Sequence, residues 1–324
     1  MNNKKLLSIV AIVLVMVCFT TLMVGCKAPQ EYEVNFFMPD GTPALAAVSV
    51  LNEFAFEETT TNFNIVKADQ IQGVFNAGAD IAIMPTIVAA KLYNNGQAVK
   101  LVSVNVFGNL FIVGVNSQVQ QPQDMVGKVL YVTVGTTLQL TKYILAQNDI
   151  QFEEGAEAIE GKVVLNSKAD GSEIMPLLKQ ASNQSKEALA VLGEPQVTKA
   201  KSVVGQSLAI AIDLQQEWKD ITGFDGYPQA SLVATQKFCE EHADYIKYLV
   251  GEMDKNAQFI SQNLTSLSDI FARYESSLAG MTLDAVTIQN CNLRVQKAND
   301  AKSSVQDYLQ RLSATVDDGF FFNF

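Results

Sequence analysis

Short apolar runs alternate with amphipathic stretches along most of the chain. Val34–Met38 is a run of buried-strand character, closed by Pro39-Asp40-Gly41-Thr42-Pro43. From Ala44 to Phe54 the apolar positions Ala44, Leu45, Val48 and Leu51 recur at helical spacing, with Pro43 suited to a first turn and Thr42 to its cap. The alternation continues with strands at 63–68, 79–84, 99–106 and 110–115 and helices at 69–77, capped by Asp69, and 85–93, stopped by Asn94-Asn95-Gly96. A second series begins near Val119, with a Gln-rich polar loop around Pro122. It predicts strands at 129–134, 163–166, 188–192 and 208–212, helices at 138–147 and 173–179, and a loop at 182–185. A strand at 230–235 rejoins the first series, and helices follow at 236–263, 267–274, 283–291 and 298–312.

Strand and helix in alternation specify an α/β fold with a largely parallel sheet in each half. Two lobes are expected: residues 32–108 with 229–324, and residues 109–228. Their two crossings fall near Phe107-Gly108-Asn109 and near Gly226-Tyr227-Pro228. Hinged two-lobe proteins close on small ligands in this way.

The N-terminus changes the picture. Lys4 and Lys5 precede an apolar run from Leu6 to Gly25, and Cys26 follows directly. This pattern fits a signal peptide, residues 1–25, with lipid on the sulfur of Cys26 and a tether at 26–31. A run of about 20 residues also suffices for an uncleaved membrane helix. Met23 stands where lipidation signals usually carry Leu. Loss of Lys4 and Lys5 with the leader takes the net charge from −11 to −13 and leaves 299 residues, enough for two cores. So acidic a surface speaks against nucleic acid. Cys239 and Cys291 either pair as a disulfide or stay as separate buried thiols. One histidine, His242, and no Cys/His spacing suited to zinc leave no metal or cofactor to expect.

The candidate chemistry lies at helix starts. Gly41-Thr42-Pro43, Met84-Pro85-Thr86 and Gly135-Thr136-Thr137 each join a strand to a helix, where free N–H groups favour oxygen-rich or anionic ligands. Such turns lie at the carboxyl ends of the strands, where open α/β sheets bind ligands. Capping alone would also explain the threonines.

Met38–Ala46, Gly78–Pro85, Leu192-Gly193-Glu194-Pro195, Asn292–Val295 and Asp317–Phe321, in that order, resemble the branch of periplasmic binding proteins that handles sulfonates, nitrate and thiamine precursors. The resemblance spans nearly the whole mature chain. It implies a type 2 periplasmic-binding-protein fold of two doubly wound lobes, acting as the monomeric, lipid-anchored, extracytoplasmic receptor of an ABC importer. The implied partners are a small polar, anionic or heterocyclic solute, a membrane permease and its ATPase. It also implies that Glu194 faces the cleft; a lobe-to-lobe ion pair with a lysine is its structural alternative. A sensing lipoprotein, or an enzyme on the same fold, is the alternative function. No nucleophile–base pair is visible, so no enzyme is expected. The only arginines are Arg273, Arg294 and Arg311, so the bidentate clamp that amino-acid receptors use is missing from the cleft loops.

Asp40, Gly41, Thr42, Met84, Pro85, Thr86, Asn105, Asn109, Gly135, Thr136, Thr137, Glu194 and Tyr227 are therefore the candidate ligand contacts. Asp40 serves equally as a turn former, Asn105 and Asn109 as loop-forming residues, and Tyr227 as an apolar wall at a crossing.

Overall fold

The structure, a computed structural model, describes residues 32–57 and 59–324. The leader, Cys26 and the tether lie outside the described residues. The chain begins with β1 (Tyr32–Pro39), α1 (Thr42–Leu45), α2 (Val48–Asn52), β2 (Thr59–Val66), α3 (Ile71–Asn76), β3 (Ile81–Pro85), α4 (Thr86–Asn94) and β4 (Val99–Val106). It then crosses directly into β5 (Leu110–Val115), followed by β6 (Val129–Thr133), α5 (Thr136–Gln147), β7 (Phe152–Glu154), β8 (Val163–Lys168), α6 (Gly171–Asn183), β9 (Ala188–Gly193), α7 (Gln196–Val204), β10 (Leu208–Asp213) and α8 (Leu214–Thr222). After the second crossing come β11 (Ala230–Thr235), α9 (Gln236–Glu241), α10 (Ala243–Asp254), α11 (Asn256–Asn263), α12 (Leu267–Ala272), α13 (Ala285–Asn290), β12 (Leu293–Lys297) and α14 (Ala298–Arg311).

Two six-stranded sheets result, ordered β12-β4-β11-β3-β1-β2 and β10-β5-β9-β6-β8-β7. The sheets are mixed rather than largely parallel. Parallel pairing is confined to β2-β1-β3 and to β7-β8-β6-β9. The strands that enter or leave a crossing, β4, β5 and β11, pair antiparallel, as do β10 and β12. A chain that passes straight from one sheet into the other makes no right-handed helical crossover, so its strands need not follow the parallel rule.

Other departures from the sequence reading have local causes. The helix expected from Ala44 to Phe54 is broken at Ala46–Ala47. There the Asn256 side chain donates to the Leu45 carbonyl and accepts from the Ser49 amide, each at 2.9 Å. Asp69 caps nothing; α3 starts after Gln70. The 182–185 loop starts later than expected, because α6 runs to Asn183. The 236–263 stretch divides into α9, α10 and α11, with breaks at His242 and Lys255. Strands β7 and β12 and helices α7 and α8 stand where no element was expected.

One apolar core runs continuously through both halves, by way of Phe107, Leu110, Trp218, Tyr227 and Tyr308. A second lies under the first sheet against α2, α10, α11 and α12, and a third joins α6 and α7 to the second sheet. Cys239 and Cys291 are separate buried thiols. Burial pushes the Cys239 pKa up to about 12. Among the described residues no helix is long and apolar enough to cross a membrane, and no three His, Cys, Asp or Glu side chains converge as metal ligands.

Asn256 holds the helix break from 207 residues away. Asn256→Ala should therefore cost about 2 kcal/mol, since it strands a buried carbonyl and amide together. Urea unfolding checks this; a loss no larger than that of an exposed-site control such as Gln262→Ala would show that the break holds itself.

Candidate functional site

The two connections between the sheets meet at the level of the backbone. Gly226 sits at φ +82°, and a Cβ placed on it would come 2.2 Å from the Phe107 carbonyl oxygen. Gly108, at φ +90°, has the Tyr227 ring where its own Cβ would lie, 2.7 Å away. Side chains from the start of β12 tie the crossings together. Asn292 donates to the Phe107 carbonyl at 2.6 Å; Arg294 donates to the Asp225 carbonyl at 2.5 Å and to Asn292 Oδ1 at 2.7 Å. The Arg294 guanidinium also lies 3.6 Å above the centre of the Phe107 ring. Behind the crossings, Tyr143, Trp218, Tyr227 and Tyr308 form an aromatic column with centroid spacings of 5.5–6.0 Å. Tyr227 is fully buried there, its hydroxyl donating to Gln215.

On the opposite side of the crossings the two halves face each other across polar groups. Thr42, at the start of α1, donates its hydroxyl to the carbonyl of Glu194 at the end of β9. Asn109 Nδ2 lies 2.6 Å from Thr42 Oγ1 and 2.7 Å from the same carbonyl. All three residues are buried. A few residues further on, the hydroxyls of Thr198 in α7 and Thr287 in α13 lie 2.8 Å apart. Cys291 packs beside Thr42 and Glu194, and burial pushes its thiol pKa up. The Glu194 carboxylate accepts from the Thr198 amide in the first turn of α7, and among the described residues no lysine pairs with it.

Gly41 and Gly135 precede the first helices of the two halves in matching conformations, φ 100°, ψ −137° and φ 82°, ψ −137°, a region open in practice to glycine alone. Neither helix start has a side-chain cap. Thr136 and Thr137 are half-buried at the start of α5. Asp40 forms a turn with Gly41 and also accepts from the Ser277 amide at 2.8 Å and from the Ser276 hydroxyl.

The remaining candidates lie inside the first half. Met84 and Thr86 are fully buried, with Thr86 bonded to Ser231 at 2.7 Å. Pro85 leads into α4 and is half-buried. Asn105 occupies a position that β11 and β12 both skip in their pairing with β4, and its Oδ1 accepts from the Leu232 amide at 3.0 Å. Its amide nitrogen has no partner among the described residues, and Asn105 lines a small cavity of about 130 Å³ together with Asn256 and Arg294.

A larger cavity, about 740 Å³, opens where the carboxyl ends of β2 and β8 face each other across the two halves. Lys67, just past β2, lines it from the first half. From the second half come Ser172, Met175, Pro176 and Lys179, spaced at i, i+3, i+4 and i+7 on one face of α6. Gln196, Lys199 and Val203 follow on one face of α7. Asp170 borders the cavity as the cap of α6; hydrogen bonds from the Ser172 hydroxyl and amide hold its carboxyl below the usual range, and nearby Lys67 adds to this. None of these lining residues was singled out from sequence.

No family model matches this chain, and no curated protein does. Several solved structures share its fold. One described as an ABC transporter from Parabacteroides distasonis is 22% identical, with a TM-score of 0.71 over 90% of this chain and 99% of that one. The ligand-binding component of an ABC-type import system from Staphylococcus aureus, with zinc bound, is 11% identical, with a TM-score of 0.62 over 90% and 96%. The periplasmic aliphatic sulphonate binding protein SsuA from Escherichia coli is 13% identical, with a TM-score of 0.62 over 88% and 91%. The fold is that of periplasmic binding proteins. Fold by itself carries no activity.

The contact at Gly226 leaves no room for a side chain. Gly226→Ala should cost about 3 kcal/mol or more, combining a backbone clash with an unfavourable φ. Gly223→Ala, at φ +79° with open space around it, should cost about 1 kcal/mol. Equal losses for the two variants in urea melts would show that the crossing tolerates separation.

Proposed function

We propose that this protein is an extracytoplasmic solute receptor serving an ABC importer, held at the membrane by lipid on Cys26 and closing its two halves, residues 32–108 with 229–324 and residues 109–228, around a small molecule. The observation that carries this reading is the asymmetry of the interface between the halves. On one side the crossings are locked by close backbone contact and an aromatic column. On the other, the hydrogen bonds between the halves run through hydroxyls, an amide and a carbonyl beside a cavity of ligand size. Polar contacts of that kind exchange readily for water, so the cleft side can open while the crossing side holds. The Thr42–Asn109–Glu194 cluster then acts as the latch of the closed form rather than as the ligand's own cradle. The fold shared with binding components of import systems, and the Gly25-Cys26 junction, support the same reading. The alternative of an enzyme finds no nucleophile–base pair in the cleft to support it.

Two experiments test it. Thr42→Val keeps the shape of the side chain but removes the hydroxyl that bonds the second half. The closed form should lose about 1–2 kcal/mol, and apparent ligand affinity should fall as the closed population falls. In small-angle scattering the ligand-free variant should show a larger radius of gyration than the wild type; identical radii would remove the latch. For the anchor, Cys26→Ser should leave precursor or released protein. Membrane-bound variant of normal mature mass would exclude lipid on Cys26.

A further inference from the structure

Resting on the receptor reading, we propose that the ligand is a small organic dianion, its two acidic groups held by Lys67 from one half and by Lys179 and Lys199 from the other, and its apolar middle packed on Met175, Pro176 and Val203. The cavity lining holds three ammonium groups against one carboxylate. That carboxylate, Asp170, is already engaged as the cap of α6. Among the described residues, Lys67, Lys179 and Lys199 have no carboxylate within ion-pair distance, so their charges are not already satisfied within the protein. Three such lysines around one concavity, with a single carboxylate among them, make it locally basic in a chain of net charge −11. An occupant that neutralises the lining carries two negative charges.

The arrangement also specifies the ligand's shape. Lys179 and Lys199 stand on adjacent helices, α6 and α7, while Lys67 approaches from the other sheet, so the acidic groups lie at separate ends of the molecule. Met175 and Val203 lie on the same helix faces as Lys179 and Lys199, and Val203 is 40% exposed. An apolar segment between the two charges covers that surface. Because Lys67 alone comes from the first half, neutralising it couples charge recognition to closure.

The test is calorimetry on the mature protein with the α,ω-dicarboxylates from succinate to suberate, against hexanoate as a monoanion and adipamide as a neutral isostere. A dicarboxylate of matching length should bind at least about tenfold more tightly than hexanoate, adipamide should not bind, and salt should weaken the dianion most. Lys67→Gln and Lys179→Gln should each weaken the dianion about tenfold, the loss of one charge-assisted hydrogen bond. Lys67→Gln should in addition reduce ligand-induced compaction in scattering, a readout that a general loss of stability would not mimic if its melting temperature is unchanged. Binding of hexanoate or adipamide as tight as that of the best dicarboxylate, no binding by any dicarboxylate, or full affinity in the lysine variants would each overturn the proposal. If native mass spectrometry then retrieves a neutral, cationic or singly charged solute that compacts the protein, the receptor reading stands without the dianion. If no solute compacts it, the receptor reading falls as well.

Discussion

The position of the two sheets relative to each other depends on one contact, Gly226 against the Phe107 carbonyl. The approach is closer than any side chain permits, so the two crossings lie backbone on backbone. Gly108 and the Tyr227 ring repeat the same economy of space one residue away. Asn292 and Arg294 then satisfy the carbonyls that this proximity would otherwise strand, and Arg294 covers the Phe107 ring. Since both connections are pinned at one place, the closure proposed above is a rotation about that place.

The two sides of this pivot differ in kind. Behind it, Trp218, Tyr227 and Tyr308 are buried to within 1%. Exposing one such side chain costs roughly 1.5–3 kcal/mol. In front of it, each hydrogen bond of the Thr42–Asn109–Glu194 cluster contributes about 1 kcal/mol net, because water replaces it on opening. In the hinge motion proposed above, rotation breaks the front contacts and keeps the column. A closed state supported by so few polar bonds can be outweighed or reinforced by a modest ligand energy, which is what a population shift requires.

Much of this was legible in the sequence, and the illegible parts have physical reasons. Apolar runs gave the central strands, because buried strands show their burial directly in composition. Gly41 and Gly135 were readable as turn residues, although only the structure reveals their matching conformations. The break at Ala46–Ala47 was not readable, since helical spacing continues across it and the interrupting side chain, Asn256, arrives from a distant helix. Strand β12, Leu-Arg-Val-Gln-Lys, is short and half-exposed, and its alternation of apolar and polar residues is too brief to stand out between two helices. Asn105 looked like a donor beside a crossing; its amide instead fills a place that two neighbouring strands skip. The cavity lysines stayed hidden because single exposed lysines are ordinary in sequence. Their convergence is a property of two helix faces and a strand end on another sheet.

That convergence bears on how an acidic protein would recognise an anion at all. At long range a chain of net charge −11 repels anions, and screening limits that repulsion to about 8–10 Å at physiological salt. Within that distance the local lining dominates, and cavities with low-dielectric walls concentrate the field of the charges inside them. The acidic exterior and the basic cavity are thus complementary parts of one filter. On the dianion proposal, the exterior disfavours non-specific anion binding elsewhere on the surface, while Lys67, Lys179 and Lys199 make one concave place locally basic. A ligand with a single charge gains only part of that attraction. One with two charges gains all of it only when the halves close far enough for Lys67 to reach it, so selectivity for charge and the drive to close come from the same three side chains.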